Sequence, residues 1–257
     1  MIAKLFDEQR PLMVAGLLFM IGGFVLLGLS LVDDLQILGI SRWIKPMKFY
    51  FSVGIFLWTI AVYLRYLPGY DRFSRVLSWS FIVIFLGELI AVTGQAIRGT
   101  TSHFNIATPL DGIIFGFMGV LIAISTLLTA AILVAYFRAK TDLPPAILWG
   151  MRLGLLLFLF GSIQGGYMSA HLSHTVGAAD GGPGLPLTNW STVAGDLRVA
   201  HFLGLHSLQA IPLFAIVLER VRVSGRTALT VGFAFVYFAV FMFLFAQALN
   251  GRPLLSL

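Results

Sequence analysis

The run IIFGFMGVLIAISTLLTAAILVAYFRA at positions 113–139 decides the fold. It is longer than the roughly 20 apolar residues that cross the hydrocarbon of a bilayer. Its Ile, Leu, Phe, Val, Ala and Gly show none of the alternating polarity of a barrel strand. In hydrocarbon its N–H and C=O groups must be paired within the segment, so it is a helix. Six further runs read the same way, at 11–32, 44–67, 76–99, 146–172, 199–221 and 227–251. The breaks between them are polar or turn-forming: Asp33-Asp34, Leu67-Pro68-Gly69-Tyr70-Asp71, Asp142-Leu143-Pro144-Pro145 and Ser224-Gly225-Arg226. The expected fold is an all-α membrane protein, a seven-transmembrane helix bundle forming one polytopic domain over 1–257. Pro212, inside the sixth run, is a candidate kink. The first run is too long for a cleavable signal peptide, and no small-residue cleavage pattern follows it.

Composition agrees. Of the 257 residues 58% are hydrophobic and only 11% are charged, against about 25% charged in soluble domains. Mean hydropathy is +0.93. The absence of cysteine excludes disulfides, thiolate metal sites, covalent haem attachment and cysteine nucleophiles. Net charge is +6, which in a membrane chain reads as basic cytoplasmic loops rather than nucleic-acid binding. The larger share of Lys and Arg falls on the amino-terminal side: Lys4, Arg10, Arg65, Arg72, Arg75, Arg138, Lys140, Arg152, Arg220, Arg222 and Arg226. The other side holds Arg42, Lys45, Lys48, Arg98, Arg198 and Arg252. The expected topology has the amino terminus in the cytoplasm and the carboxyl terminus outside. The expected location is the cell membrane, as a multi-pass protein of a bacterial inner membrane.

Polar side chains are distributed unevenly. All 5 histidines belong to the outer side: His103, His171, His174, His201 and His206. Gln95, Arg98, Gln164, Tyr167, Gln209, Gln247, Asn250 and Lys48 share that half, and Glu88 lies near the midplane of the third span. Polar groups in hydrocarbon are costly and usually face the interior or a wet cavity. The expected arrangement is a cup open to the outside. On the fifth span Gln164, Tyr167, His171 and His174 form one helical stripe, and on the third Glu88 and Gln95 share a face. Gln95, Gln164, Tyr167 and Gln209 are therefore the expected cavity lining. The long connection 173–198, with its Gly181–Gly184 core and Trp190, reads as an ordered lid.

Each candidate has a structural and a functional reading. His171, His201 and His206 are either interfacial hydrogen-bonding groups or ligands, since neutral imidazole is the commonest metal ligand. Glu88 is either a partner for Gln95, Lys48 or backbone, or an acid/base that should hold its proton at neutral pH. Arg98 and Arg198 are either snorkelling anchors or cations for an anionic ligand. The glycines Gly87, Gly94, Gly161, Gly165, Gly166 and Gly204 mean close helix packing, or room for a flat cofactor.

No His-Glu-x-x-His motif is present, the last span has no histidine, and outer carboxylates are few. The expected cofactor is haem b or a transition metal held by His171, His201 and His206, with Arg98 and Arg198 as further binding groups and Glu88 beneath as catalytic proton group. His171 and His201 are expected at matching depth. The leading expectation is an outward-facing oxidoreductase or electron carrier. The alternatives are a metal-dependent lipid hydrolase or hydroxylase, and a non-enzymatic binding or transport protein. Expected partners are the lipid bilayer and a lipophilic substrate or quinone, with no nucleic acid.

Overall fold

The computed structural model describes residues 2–256. A short helix α1 (Ile2–Glu8) precedes seven long ones: α2 (Arg10–Leu29), α3 (Ile44–Arg65), α4 (Asp71–Ile97), α5 (Pro109–Arg138), α6 (Pro145–His171), α7 (Leu197–Val221) and α8 (Arg226–Leu249). Each of α2 to α8 is long and apolar enough to cross a membrane. The chain is an all-α, multi-pass membrane protein, and its surroundings are a lipid bilayer. The many exposed large apolar residues on these helices, Leu18, Phe24, Val83, Ile163 and Phe235 among them, are what a lipid solvent accepts.

Helix ends differ from the sequence reading by a few residues, for local reasons. α5 begins at Pro109, not 113, because Thr108 and Asp111 form a reciprocal cap: the Asp111 amide donates to Thr108 Oγ1 at 3.2 Å, and Thr108 Oγ1 donates to Asp111 Oδ2 at 2.6 Å. Asp196 caps α7 by accepting the Arg198 amide at 3.0 Å. α6 ends on Leu172 in the left-handed region, φ 52°. Pro212 lies buried within α7, which continues as one helix through it.

The chain divides into two compact units, Met1–Leu128 and Thr129–Leu257, with the boundary inside α5. In the first, α2 and α3 pack through glycines. A Cβ at Gly54 would meet the Gly16 carbonyl at 2.9 Å, and a Cβ at Gly16 would meet Trp58 at 2.6 Å. The Trp58 indole N–H donates to the Met13 carbonyl at 2.9 Å. Phe56 of α3 meets Phe81 and Phe85 of α4 edge to face. A two-residue hairpin, β1 (Gln36–Ile37) with β2 (Ile40–Ser41), links α2 to α3.

In the second unit α6 and α7 are antiparallel and in near backbone contact. Gly150 faces Pro212 and Ala215, and Gly161 faces Gly204. The Ser207 hydroxyl donates to the Gly154 carbonyl at 2.8 Å. The small residues on α6 act as packing surface here. Tyr237 of α8 donates to the Leu203 carbonyl at 2.7 Å. The 173–198 connection is ordered: β3 (Thr175–Val176) pairs antiparallel with β4 (Gly195–Asp196), and Gly184 bridges Ser191.

Candidate functional site

In the first unit the polar side chains of α4 lie on its buried face. Ser74, Ser78, Glu88 and Gln95 are all buried, in step with Leu77, Phe81, Phe85 and Val92. Ser78 donates to the Ser74 carbonyl at 2.8 Å. The Gln95 amide donates to Asp111 Oδ1 at 2.9 Å and to the Thr101 carbonyl at 3.5 Å. Arg98 Nη1 donates to Asp111 Oδ1 at 2.7 Å and to Gln95 Oε1. Thr93 Oγ1 and the Glu88 carboxyl are left without partners among the described residues, and of the two Glu88 is the ionisable group. It is 1% exposed, and neither carboxylate oxygen has a hydrogen-bond partner among the described residues. Gln95, on the same face, is seven residues away, about 10 Å along the axis at 1.5 Å per residue, and its hydrogen bonds go to other groups. The partnership with Gln95 that their shared face suggested for Glu88 therefore does not form.

Beside this face, α4 and α5 border an open lateral groove of about 490 Å³, lined by Gly87, Ile90, Ala91, Gly94, Gln95, Arg98, Ile114 and Phe117. Its walls are almost wholly apolar. At the Gly87 end Leu121 narrows it, lying 2.9 Å from where a Gly87 Cβ would stand; at Gly94 a Cβ would meet nothing within 4 Å. Asp111, which the sequence offered only as one outer carboxylate among several, is the hub of the polar end. Its signal was legible as Thr108-x-x-Asp111, a capping box.

Outside the spans, Asp33 gathers the α2–α3 turn. It accepts Arg42 Nε at 2.8 Å, Arg42 Nη2 at 2.5 Å, the Trp43 indole at 2.7 Å and the Leu35 amide at 3.0 Å. The Leu35 amide first, then Arg42 and Trp43, hold its carboxyl below the ordinary value. His103 lies among Phe49, Phe104 and Phe115, with Nδ1 at 3.0 Å from Ser102 Oγ. Lys45 and Lys48 are half-buried at the start of α3.

In the second unit the expected stripe on α6 divides. Gln164 is buried and donates to the Leu197 carbonyl at 3.0 Å, whereas Tyr167 and His171 are exposed. The reason is the facing of the helix: Tyr167 and His171 continue the exposed face of Phe160 and Ile163, whereas Met168, at the same depth as Tyr167, is buried. Tyr167 and His171 instead stack on each other, rings 4.0 Å apart, with His171 Nδ1 at 2.9 Å from the Tyr167 carbonyl. His201 faces inward: its Nδ1 is 2.9 Å from the Gly161 carbonyl, and its ring covers Gly165. His206 is half-buried, stacked on Phe202 at 3.9 Å, with Nδ1 2.7 Å from the Phe202 carbonyl. Phe202 also meets Trp190 of the long connection. Gln209 is half-buried one turn further along α7.

His171 and His201 are thus staggered rather than level. His201 covers Gly165, and His171 follows six residues later, about 9 Å along α6. Among the described residues no group of three or more His, Cys, Asp or Glu is placed to hold a metal ion.

Arg198 is engaged in an ion pair at the start of α7. Its Nε and Nη2 donate to the two oxygens of Asp196 at 2.9 and 2.6 Å, and Nη2 also donates to the Asn189 carbonyl. With Asp196 accepting the Ser191 amide at 2.8 Å, the pair pins the long connection to the start of α7. Asp180 pins the other end, accepting Ser173 Oγ at 2.9 Å and the Thr175 amide at 3.0 Å, with His174 Nδ1 at 3.4 Å. Burial would push the Asp180 carboxyl up, but His174 and hydrogen bonds from Thr175, Ser173 and the His174 amide outweigh it, so the group stays below its ordinary value.

No protein-family model, no curated protein and no solved structure matches this chain.

Proposed function

We propose that this chain is a proton-handling membrane protein in which the Glu88 carboxyl takes up and returns a proton inside the bilayer as the charge of a bound partner changes. The observation that carries the reading is the isolation of Glu88, buried at 1% exposure with both oxygens unpartnered. Polar groups in hydrocarbon are costly, and on the same face Ser78 and Gln95 are satisfied. A carboxyl with no structural partner is tolerated where it binds a proton, one of the roles ionisable residues take within membranes. The excess of Lys and Arg on the amino-terminal side supports a cytoplasmic amino terminus.

Glu88→Leu separates function from structure. An unpaired buried polar group costs about 1–3 kcal/mol, so the variant is expected to gain stability in detergent while losing the carbonyl-stretch infrared band of a protonated carboxyl. A variant that unfolds more easily than the parent, with that band unchanged, would show Glu88 to be a structural residue and end the proposal.

A second reading, a redox carrier holding haem b or a His-ligated transition metal, is favoured by a feature common to three histidines. In His171, His201 and His206 the Nδ1 atom faces a main-chain carbonyl at 2.9, 2.9 and 2.7 Å. A carbonyl only accepts, so Nδ1 carries the proton and Nε2 is left with the lone pair that ligation needs. The staggered histidines suit a haem, which asks for one or two axial imidazoles, better than one ion held by all three. A haem would supply one-electron chemistry.

A further inference from the structure

We propose that the 173–198 connection is a pH-sensitive strap, in which the His174 imidazole, set between a carboxylate from each end of the connection, holds the two ends together when protonated and lets them part when neutral. The device stands without Glu88 and without any cofactor.

The geometry is a bracket. His174 Nδ1 lies 3.4 Å from Asp180 Oδ1 and 4.0 Å from Asp196 Oδ1, with Thr175 Oγ1 at 3.1 Å. Asp180 folds back onto the first residues of the connection, accepting Ser173 Oγ and the Thr175 amide. Asp196 belongs to β4 and caps α7. The two carboxylates therefore come from opposite ends, and the imidazole stands where those ends meet. Beside it β3 pairs with β4, and the His174 carbonyl accepts the Leu197 amide at 2.9 Å. The side chains of His174, Asp180 and Asp196 are 12, 19 and 0% exposed, and salt screens charges so shielded much less than charges in open solvent.

Few other charges face this cluster. From α7 comes Arg198, paired with Asp196 at 2.6 Å. Beyond the end of α8, Arg252 lines the crevice that Asp196 borders. The last turn of α6 carries His171, which is exposed and stacked on Tyr167. Both arginines keep their charge at every pH of interest, so neither adds a pH dependence. Asp180 and Asp196 are two carboxylates against the one guanidinium that Arg198 supplies, and the His174 imidazolium provides the second cation. Histidine changes charge between about pH 5 and 8. Charged, it is drawn to both carboxylates; neutral, it loses that attraction, so the strap is tight in acid and loosens as pH rises. The movement falls on β3 and the residues up to Asp180. Asp196 stays pinned by Arg198 and the Ser191 amide, and β4 lies directly on the end of α8, where a Gly195 Cβ would stand 2.0 Å from the Ala248 carbonyl oxygen.

The test is hydrogen exchange at the Leu197 amide of the full chain in detergent, corrected for intrinsic rate, at steps from about pH 5 to 8. Protection is expected to fall about ten-fold across that range, the factor carried by a hydrogen bond to a charged group. Its midpoint should coincide with the titration of the His174 imidazole resonance. His174→Gln keeps a donor but cannot titrate, so its profile should be flat while circular dichroism shows the parent's helix content. A flat profile in the parent, or an undiminished pH dependence in folded His174→Gln, would overturn the proposal. Where His174→Gln fails to fold, the parent decides alone: a midpoint that follows the His171 resonance and not that of His174 would equally overturn it.

Discussion

Replacing Gly204 with alanine tests the packing on which the second unit rests. A Cβ at Gly204 would stand 2.7 Å from the Gly161 Cα, 3.3 Å from its nitrogen and 3.0 Å from Phe241 Cε2. Ordinary contacts are 3.4–4 Å, and two of the three obstacles are backbone, so α6 and α7 must separate by more than half an ångström. Overpacking of this kind costs about 1–3 kcal/mol. The separation also stretches two bonds that cross the interface, Ser207 Oγ to the Gly154 carbonyl at 2.8 Å and His201 Nδ1 to the Gly161 carbonyl at 2.9 Å. Interhelical bonds of this sort are worth roughly 0.6–1.7 kcal/mol each. Alanine returns about 1 kcal/mol through its higher helix propensity. The net expectation for Gly204→Ala is a loss of about 2 kcal/mol. Gly166→Ala on α6 is the matched control, because a Cβ there meets nothing within 4 Å. It keeps the propensity gain alone and should be neutral or stabilised by up to about 1 kcal/mol. Reversible unfolding in mixed micelles, followed by far-UV circular dichroism, measures both. If Gly204→Ala is as stable as Gly166→Ala, the contact does not bear on stability and the reasoning about α6 and α7 is wrong.

Two further outcomes follow from other parts of the molecule. If the histidines serve a redox centre, protein purified from cells supplied with iron shows a haem absorption band or a stoichiometric transition metal that falls in His206→Ala; a colourless, metal-free preparation would remove that reading while leaving Glu88 untouched. The Asp180 clamp gives a pH dependence. Its folded pKa is depressed, so its stabilising effect is complete above the unfolded carboxylate value of about 3.9 and is lost as pH falls through the lower folded value. Protection of the Thr175 amide from exchange, corrected for intrinsic rate, should therefore hold from neutral pH down to about 4 and collapse below it. In Asp180→Asn it should be weaker at neutral pH and flat in acid, and superimposable profiles would discard the clamp.

The seven spans were legible from the sequence alone because hydrocarbon imposes a local rule: every backbone group must be paired within its own segment, so length and apolarity suffice. Capping chemistry was equally local, as the Thr108-x-x-Asp111 box and Asp196 before α7 show. The use of glycine for close packing was readable too, though only the tertiary structure matched Gly161 with Gly204. What helical periodicity could not supply was which neighbour covers a face, and how far along. Gln164 and His171 share a stripe, yet Gln164 turns toward α7 and is buried, while His171 follows Tyr167 onto the exposed face. Likewise Glu88 and Gln95 share a buried face, but the Gln95 amide is taken by Asp111, brought from another helix, and no described neighbour reaches the Glu88 carboxyl. Segment length decides whether a helix crosses a membrane; which of its faces a partner covers decides which of its polar atoms are spent and which are left for chemistry.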